Sequence, residues 1–390
     1  MTVVPVAQAL RFTRAAASSI TVERVDDVWG FTVLRPEWNE LLRASAGDNP
    51  FLTWEWLHTW WKHLRGGAAG LRILVVRAEG QLIAIAPLLV TRGAVSWFSR
   101  LEFLGTGGAG SDYLDVIVRR GREAEGLRAI ARWLGHEQIT LRLDRLPPQS
   151  AASGLASQLS EQRWIASVAP NGVCPTIGLA GHSWDSYLAT LGSAHRANIR
   201  RRLRGIEKQF DVRFEQVTSD ADRRDALTAL VAFHDARWSS RGGSSAFLTP
   251  ALRTFHDEAT RRALEHGWLR LYVLRLNGAV AAVMYGFMYN RRFYFYQHGF
   301  DDQYKAQSIG LVLMAMTVRA AIDEGADEFD MLWGTEAYKS LWADSRRLLQ
   351  QIHLFPAHVG GRVHRRAIDA RRRLGRLARR VLPGRETSAT

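Results

Sequence analysis

Residues 291–339 read RRFYFYQHGFDDQYKAQSIGLVLMAMTVRAAIDEGADEFDMLWGTEAYK. The pattern predicts an aromatic strand, a polar turn, a long helix that ends at Gly325 and a second strand over Asp327–Leu332. Four small or polar residues lie at the turn and the helix start, namely Lys305, Gln307, Ser308 and Gly310. Because a helix start has unpaired N–H groups and partial positive charge, it suits a phosphate group. The segment therefore predicts either a phosphate-binding turn or a plain helix cap.

A predicted hairpin precedes this segment, and the first part of the chain contains a similar one. LRILVVRAEGQLIAIAPLLV starts at Leu71, and LRLYVLRLNGAVAAVMYGFM starts at Leu269. At a constant offset of 198 residues, six positions are identical and the turns Glu79-Gly80 and Asn277-Gly278 coincide. We infer an internal duplication, in which the chain contains two copies of one α/β unit.

The first copy diverges after its hairpin. It continues as LEFLGTGGAGSDYLDVIV, which predicts a glycine-rich loop followed by a strand over Tyr113–Val118. The glycines precede a strand rather than a helix, and no Gly-Lys-Ser/Thr follows, so this is neither a P-loop nor a dinucleotide fingerprint. The loop either lines a cleft or simply connects two elements.

Chain length and composition predict two folded domains with short tails. The chain has 390 residues, of which 47% are hydrophobic, as in folded globular proteins. The duplication divides it into an N-terminal domain over 21–175 and a C-terminal domain over 176–356, with tails at 1–20 and 357–390. The C-terminal tail carries ten arginines against two carboxylates. Its apolar stripe is typical of a segment that binds an anionic membrane surface or RNA, and an unattached solvated tail is the alternative.

The composition favours a reducing compartment and no membrane span. The single Cys174 cannot form an internal disulfide, and no apolar run reaches about 18 residues. The first residues lack the apolar core of a secretory signal. We therefore expect a cytoplasmic protein, either free or peripheral to the inner face of the membrane. The twelve histidines are dispersed without a ligand cluster, so no metal is expected.

Three further patterns contribute candidate functional residues. The segment PFLTWEWLHTWWKHL repeats tryptophans at helical spacing, which is usual for a core face and less often a pocket wall. Five arginines between Arg196 and Arg204 make one basic helix, either a solvated face or a docking surface for an anionic partner. His234, Arg237 and Trp238 are spaced so that they share one helix face.

These marks together resemble the GNAT superfamily of acyltransferases, specifically the CelD/BioF2-like acetyltransferase branch related to the FemAB-type aminoacyl transferases. The resemblance rests on PFLTWEWLHTWW, SDYLD, FHDARWSSRGG, QSIGLVLM and GTEAYKSLW, and it spans most of residues 30–355. It implies an α/β fold with mixed sheets, in which a GNAT-like acyltransferase fold is duplicated in tandem. The two similar hairpins indicate the same duplication independently.

The resemblance also implies the donor and its binding residues. GNAT enzymes take an acyl-CoA, acetyl-CoA or another acyl-CoA, whose pantetheine enters between two splayed strands. Its pyrophosphate binds a Gln/Arg-x-x-Gly-x-Gly/Ala turn, which here reads Lys305-Ala-Gln-Ser308-Ile-Gly310. Lys replaces Gln/Arg, and Ser replaces the first Gly of the motif. The donor contacts expected from the resemblance are Lys305, Gln307, Ser308, Gly310 and Lys339.

The chemistry implied is direct attack of an amine on a thioester, which needs a base, a group that polarises the carbonyl and an acid for the leaving thiolate. Glu336 is the candidate base and Tyr338 the candidate acid. His298, at the end of the strand RRFYFYQHGF, is an alternative base of the residue type that titrates near neutral pH. Each of the three also has a structural interpretation as a cap or a packing residue. The candidate acceptor contacts are Asp112, Tyr113, Asp115, His234, Arg237 and Trp238.

We therefore predict an N-acyltransferase with its active cleft in the C-terminal copy and with the N-terminal copy supplying the acceptor wall. The acceptor would be an amine of a small molecule or of a cell-envelope or polysaccharide precursor. One alternative is a FemAB-like aminoacyl transferase that uses charged tRNA. The other is a non-catalytic scaffold associated with the envelope or with polysaccharide.

Overall fold

Two runs of elements repeat in the same order along the chain. The computed structural model describes residues 19–67, 69–93, 99–238, 247–358, 360–363 and 365–366, with only the backbone of Arg237 and Trp238. The first half contains β1 (Ile20–Val25), α1 (Val28–Val33), α2 (Arg35–Arg43), α3 (Trp54–Leu64), β2 (Ala69–Ala78), β3 (Gln81–Thr91), β4 (Arg100–Phe103), β5 (Ile117–Val118), α4 (Glu123–Glu137), β6 (Thr140–Leu146), α5 (Ala151–Glu161) and β7 (Ile165–Gly178). The second half contains α6 (Trp184–Thr190), α7 (Ser193–Gln209), β8 (Val212–Gln216), α8 (Asp220–Trp238), α9 (Pro250–Glu265), β9 (Leu269–Leu276), β10 (Ala279–Tyr289), β11 (Arg292–Phe300), α10 (Ile309–Asp323), β12 (Glu328–Asp330) and β13 (Ser345–Phe355). Short 3-10 turns lie at Pro50–Leu52, Asp302–Gln307 and Lys339–Leu341.

The strands of the described residues form one mixed sheet. Its order is β1-β2-β3-β4-β6-β13-β7-β12-β11-β10-β9-β8, and β5 pairs with β3. Among the described strands, only β4 with β6 and β11 with β12 are parallel pairs, and each of these pairs is joined by a helix, α4 or α10. The run β1-β2-β3-β4-α4-β6 thus repeats as β8-β9-β10-β11-α10-β12, which confirms the tandem duplication predicted from the sequence.

The two hairpins that revealed the duplication have the same turn. Glu79 and Gly80 have φ of 52° and 81°, and Asn277 and Gly278 have φ of 50° and 82°. Positive φ at both central residues is the two-residue turn whose twist matches that of paired strands. In each hairpin an arginine of the first strand also donates to the carbonyl of the turn glycine. The sequence similarity therefore corresponds to identical local geometry.

The two halves exchange strands at the centre of the sheet. β13 of the second half lies between β6 and β7 of the first half, and it pairs antiparallel with both. β7 then pairs antiparallel with β12 of the second half. The predicted boundary between residues 175 and 176 falls inside β7, and the division into two domains stays a prediction. The interleaved strands make the sheet continuous across that boundary.

The aromatic helix α3 contributes mainly to the core. The Thr53 side chain caps it by accepting a hydrogen bond from the N–H of Trp56, at 3.3 Å. The ring of Trp56 packs against Phe255 of α9 and Phe287 of β10, at centroid separations of 5.0 and 5.8 Å. One hydrophobic core therefore continues from the first half into the second. Trp60 is also buried, but it lines a cavity as well.

An ion cluster links α3 to α9 next to this aromatic packing. Glu258 accepts from Lys62 Nζ at 2.7 Å and from Arg262 at 2.6 Å, and it contacts His63 Nε2 at 2.8 Å. Burial alone would raise the pKa of Glu258, but these hydrogen bonds outweigh it and lower the pKa to about 2. The carboxylate is therefore held in its charged form at the junction between the halves.

One predicted strand is wrong. The strand expected over Tyr113–Val118 is present only as β5, Ile117–Val118, and residues 111–116 are irregular. Tyr113 has φ of 60°, a left-handed conformation that cannot continue a strand. The carboxylate of Asp115 accepts the N–H groups of Ala151 and Ala152 at the start of α5, which bends this segment toward that helix.

The C-terminal tail lies mostly outside the described residues. Its first part returns to the first half, where His358 Nε2 lies 3.1 Å from the carbonyl of Gln138 and Gly361 is buried. Within the described ranges, no helix combines the length and the apolar character that a membrane span requires. The same residues contain no group of three or more His, Cys, Asp or Glu side chains that could hold a metal ion.

Candidate active site in the second half

A gap opens where β11 and β12 diverge. The two strands pair in parallel only from Arg292–Glu328 to Tyr294–Asp330, after which β12 ends and β11 continues to Phe300. The space between them is a cavity of about 170 Å³. It is lined by Phe233, His234, Phe295, Tyr296, Gln297, His298, Gly299, Met331, Leu332, Trp333, Glu336, Tyr338 and Lys339. The gap therefore brings together all three predicted catalytic residues.

Glu336 and Lys339 form an ion pair in the wall of this gap. Lys339 Nζ lies 3.0 Å from Glu336 Oε2 and donates to the carbonyl of Trp333 at 3.1 Å. Lys339 is buried, whereas Glu336 remains partly exposed. Gly334 leaves space for the pair, since a Cβ at this position would lie 2.1 Å from Glu336 Oε2. The φ of Gly334 is +143°, a conformation that favours glycine. The structure thus places the Lys339 ammonium beside Glu336, and its assignment as a donor contact stays a prediction.

His298 and Tyr338 face each other in the same gap. Their ring centroids are 5.9 Å apart with an interplanar angle of 66°. A β-bulge lies just before His298, because Gly286 of β10 faces Phe295 while Tyr285 faces Gln297. Such a bulge leaves one residue out of the ladder, here Tyr296. Its backbone thus lies beside a gap that already contains a carboxylate, an imidazole and a phenol.

The predicted phosphate turn follows the end of β11 directly. Ser308 has φ of 56° and ψ of 48°, its N–H donates to the carbonyl of Lys305 at 3.0 Å, and α10 begins at Ile309 without a side-chain cap from Ser308. Lys305 is exposed, and no acidic residue lies in the first turn of α10. Gly310 allows the helix to pack closely, since an added Cβ would lie 3.1 Å from the ring of Phe300. The partial positive charge at the start of α10 is therefore not compensated by its first turn and can attract an anion.

The basic helix α7 borders this turn. Arg202 Nη1 donates to the carbonyl of Ala306 at 2.8 Å. A groove of about 460 Å³ lies between α7 and the turn, and Arg201, Arg202 and Gln307 are among the residues that line it. Part of the predicted basic surface is thus adjacent to the predicted phosphate turn.

Comparison with known proteins identifies the second half. The family model for the acetyltransferase (GNAT) domain matches residues 193–340, which include β11, the turn, α10, β12 and the gap. Residues 193–340 are a GNAT domain. The GNAT resemblance expected from QSIGLVLM and GTEAYKSLW is therefore confirmed, and the chain is an acyltransferase. No curated protein sequence matches the chain.

Solved structures agree with the fold of the whole chain. The crystal structure of FemX superposes with a TM-score of 0.60 at 11% identity, covering 82% of this chain and 95% of FemX. L-PGS from Bacillus licheniformis has a TM-score of 0.53 at 12% identity, covering 87% of this chain and 96% of L-PGS. A conserved protein of unknown function from Bacteroides thetaiotaomicron gives 0.55 at 13% identity, covering 86% and 99%. These likenesses support a FemAB-like arrangement of the GNAT fold.

Asp112 and Asp115 lie outside the gap of the GNAT domain. Asp112 is buried and accepts from Arg145 Nη1 at 3.1 Å and from the N–H of Trp333 at 2.8 Å. Burial raises the pKa of Asp112, while Arg145 opposes that effect. Asp115 accepts three backbone N–H groups, and burial raises its pKa to about 6. Both carboxylates already have internal partners, and their assignment as acceptor contacts stays a prediction.

Tyr113 belongs to a buried network at the origin of the gap. Its OH donates to Asp330 Oδ2 at 2.7 Å, and Arg347 Nη1 donates to the same oxygen at 2.8 Å. Arg347 also reaches Glu328 at 3.1 Å. Burial raises the pKa of Asp330 to about 6, although Arg347 and Tyr113 favour the charged form. The network fixes the first half to β12 and β13 at the point where β11 and β12 begin to separate.

The remaining predicted acceptor contacts lie on α8. His234 is buried and lines the gap, with its ring 5.3 Å from that of Phe247. The side chains of Arg237 and Trp238 lie outside the described residues. Of the predicted acceptor contacts that the structure describes, only His234 thus shares a cavity with the catalytic candidates.

Sequence reasoning missed Trp333, Asp330 and Arg347. Trp333 lines the gap, and its indole Nε1 donates to the carbonyl of Asn171 at 3.3 Å. The signal for Asp330 was present, because a carboxylate inside the apolar strand FDML is unusual unless it is paired. Its partners lie 17 and 217 residues away in the sequence, so no local pattern points to them.

Proposed function

We propose that the chain is an N-acyltransferase that binds acetyl-CoA, or another acyl-CoA, in the gap between β11 and β12. The main observation that supports the proposal is that three features lie next to one another. The gap lies at the C-terminal end of β11, the uncapped start of α10 follows that end, and Glu336, Tyr338 and His298 line the gap. An acyl-CoA has a thioester for the gap and phosphates for the helix start.

The roles of the residues follow from their places. Glu336, partly exposed and adjacent to Lys339, accepts the proton of the acceptor ammonium, and His298 is the alternative base. The amine then forms the new C–N bond as the C–S bond of the thioester breaks, and Tyr338 returns a proton to the leaving thiolate. The backbone N–H of Tyr296, out of the ladder at the bulge, is the candidate to polarise the thioester carbonyl. The acceptor is an amine of a small molecule or of an envelope or polysaccharide precursor.

The second half is the better donor site for an electrostatic reason. The corresponding helix of the first half, α4, carries Glu123 and Glu125 in its first turn. Arg122 offsets Glu125 by an ion pair, and Glu123 compensates the positive end of the helix and disfavours a phosphate there. The first turn of α10 has no acidic residue, and Lys305 precedes it. This difference favours one donor site in the chain, in the second half.

The donor is tested by thermal stabilisation. Saturating acetyl-CoA should raise the melting temperature of the wild type, because ligand at about 100 times its Kd adds about 2.7 kcal/mol of stability. Lys305→Ala and Ser308→Asp should weaken this stabilisation, whereas Arg128→Ala removes an exposed cation of α4 and should not. Absence of stabilisation by acetyl-CoA and by longer acyl-CoAs would overturn the proposal.

Charged tRNA is the second candidate donor. The likeness to FemX and the groove lined by Arg201 and Arg202 favour it. Aminoacyl-tRNA belongs in the same thermal series, at low and at moderate salt. Stabilisation by charged tRNA and by no CoA ester, lost in an Arg201→Gln/Arg202→Gln variant, would replace acyl-CoA with aminoacyl-tRNA as the donor.

A cytoplasmic location at the inner face of the membrane is a further part of the proposal, supported by the arginine-rich tail. Because His358 contacts the first half and the described residues continue to 366, a deletion should remove only 367–390. We expect the truncated protein to lose binding to anionic vesicles and to RNA while acyl transfer is retained. Unchanged binding to both would show that the tail has neither role.

A further inference from the structure

The first half contains a larger cavity at the position that corresponds to the donor gap. β4 and β6 pair in parallel only at Arg100–Thr140 and Leu101–Leu141, and then they diverge. The resulting space, called here the N-half cavity, has a volume of about 510 Å³. The glycine-rich loop lines it through Thr106 and Gly107. The helix of this half, α4, carries Glu123 and Glu125 in its first turn, unlike α10, and none of its residues lines this cavity.

Polar groups in the wall of the N-half cavity lack hydrogen-bond partners. Trp60 is only 4% exposed, and its indole N–H has no acceptor among the described residues. Arg142 Nε and Asp144 Oδ1 are also buried atoms without a partner in that part of the chain. Since buried polar groups are almost always paired, three such atoms around one cavity are available to bind a polar ligand or ordered water.

The charge of the wall indicates the sign of that ligand. Three arginines line the cavity, Arg65, Arg142 and Arg145, against two carboxylates, Glu102 and Asp144. Both carboxylates already have arginine partners, at 3.0 Å for Glu102 and 2.9 Å for Asp144. Arg145 is paired with Asp112, which does not line the cavity. Among the described residues Arg65 forms no ion pair, and it lies exposed over the ring of Trp61 at the end of α3. The wall thus has a cation available for an anionic group.

The N-half cavity adjoins the donor gap through one side chain. Trp333 lines the gap, and its ring lies 5.0 Å from the guanidinium of Arg145, which lines the N-half cavity. Its Nε1 donates to the carbonyl of Asn171, which lines that cavity as well. A molecule in the N-half cavity therefore lies next to the space in which the thioester would react.

From these features we propose that the N-half cavity binds an anionic group of the acceptor. The acceptor is then an amine that also carries a carboxylate or a phosphate, with the anion near Arg65 and Arg145 and the amine directed past Trp333 to Glu336. Hydroxyl or amide groups of the same molecule would satisfy Trp60 and Asp144. This proposal rests on the proposed N-acyltransferase function, because it names the acceptor class of that reaction.

The test is direct binding of small amines to the full chain, without any donor. Glutamate and glucosamine 6-phosphate supply an amine with a carboxylate or a phosphate. Glucosamine and propylamine supply the amine alone. Calorimetric titration should show binding of at least one anionic amine, and affinity lower by about tenfold or more for the counterpart that lacks the carboxylate or phosphate, since charge-assisted hydrogen bonds are the strong ones. Arg65→Gln should reduce that affinity about tenfold, whereas Arg128→Gln, a matched exposed arginine on α4, should leave it unchanged.

Three outcomes would overturn the proposal. They are no binding of any anionic amine by the wild type, equal affinity for amines with and without the anionic group, or an Arg65→Gln variant that binds like the wild type. The carboxylate and phosphate probes separate the two sources of the anion. The acetyl-CoA series is an independent measurement: anionic amines that bind without any stabilisation by acyl-CoA would refute the donor assignment and leave the anion site in place.

Discussion

Removal of one hydroxyl group, in Tyr113→Phe, should destabilise the junction between the two halves. The Tyr113 OH donates to Asp330 Oδ2 at 2.7 Å and accepts from Arg347 Nη1 at 3.2 Å, and Asp330 has no exposed surface. A hydrogen bond to a charged group contributes about 1.5–3 kcal/mol, and the variant leaves the ring in place. We therefore expect Tyr113→Phe to lower the free energy of unfolding by about 1.5–3 kcal/mol at pH 7.5.

The chain offers a matched control for this substitution. The OH of Tyr187 is also buried, but it donates to a neutral acceptor, the carbonyl of Trp342, at 3.0 Å. Tyr187→Phe should therefore cost only about 0.5–1.5 kcal/mol. Urea-induced unfolding of the wild type and both variants, followed by far-UV circular dichroism, compares the same chemical change at a charged and at a neutral acceptor.

The stability difference between Tyr113→Phe and the wild type should depend on pH. Burial raises the pKa of Asp330 to about 6, and the Tyr113 hydroxyl partly opposes that rise. Without the hydroxyl the pKa rises further, so the folded variant takes up a proton at a higher pH than the folded wild type does. The stability difference between the two should therefore be largest above pH 6 and should shrink as the pH falls toward 5. A difference that is the same at pH 7.5 and pH 5, or no larger than that of Tyr187→Phe, would refute a charge-assisted bond.

Three further predictions concern the gap, the α3–α9 contact and the exchanged strands. Gly334→Ala should cost about 1–3 kcal/mol of backbone strain, and a rate assay should show no acyl transfer because the added Cβ displaces the adjacent ion pair. The control is Gly278→Ala, at φ of +82° with no atom within 4 Å of the added Cβ, which should keep transfer in the same assay. Glu258→Gln should lower the melting temperature at pH 7. The difference in melting temperature from the wild type should narrow as the pH falls from 4.5 toward 2, because a group with a lowered pKa stabilises the fold only while it is charged. A difference that stays constant over this pH range would refute the prediction. Residues 21–175 and 176–356, produced separately, should each give the circular dichroism of an unfolded chain, and should regain native spectra only when mixed, because β7 and β13 pair across that cut.

Local patterns were sufficient for the repeated unit. The turns at Glu79-Gly80 and Asn277-Gly278 specify hairpins by themselves, and the long apolar segment after Ser308 specifies a helix. Because both copies retain these signals, the duplication and the resemblance to GNAT proteins could be inferred without a structure. The three catalytic candidates also share one cavity because the short β12 leads directly into the segment that contains two of them.

Contacts between distant residues explain what the sequence did not reveal. Tyr113 was predicted to lie on a strand, but its backbone is left-handed and its OH bonds to Asp330, 217 residues away. Its assignment as an acceptor contact stays a prediction. Asp115 similarly lies against the start of α5. In each case the polar side chain has a partner that adjacent residues do not indicate. A carboxylate within an apolar segment of the sequence thus indicates an internal hydrogen-bond or ion-pair partner more often than it indicates a ligand contact.

The strand exchange, rather than the duplication alone, is what brings the two cavities together. β7 pairs with β13 on one side and with β12 on the other, so the chain that follows β12 continues along β7. The N–H of Gly334 donates to the carbonyl of Val173, which sets Trp333 beside Asn171. Gly172 permits this approach, since an added Cβ would lie 2.0 Å from Trp333 Nε1. Asp112 and Arg145 of the first half also contact Trp333, so β7 adds to first-half contacts that set the N-half cavity beside the gap. The exchanged strands therefore help to place two cavities with different linings next to each other.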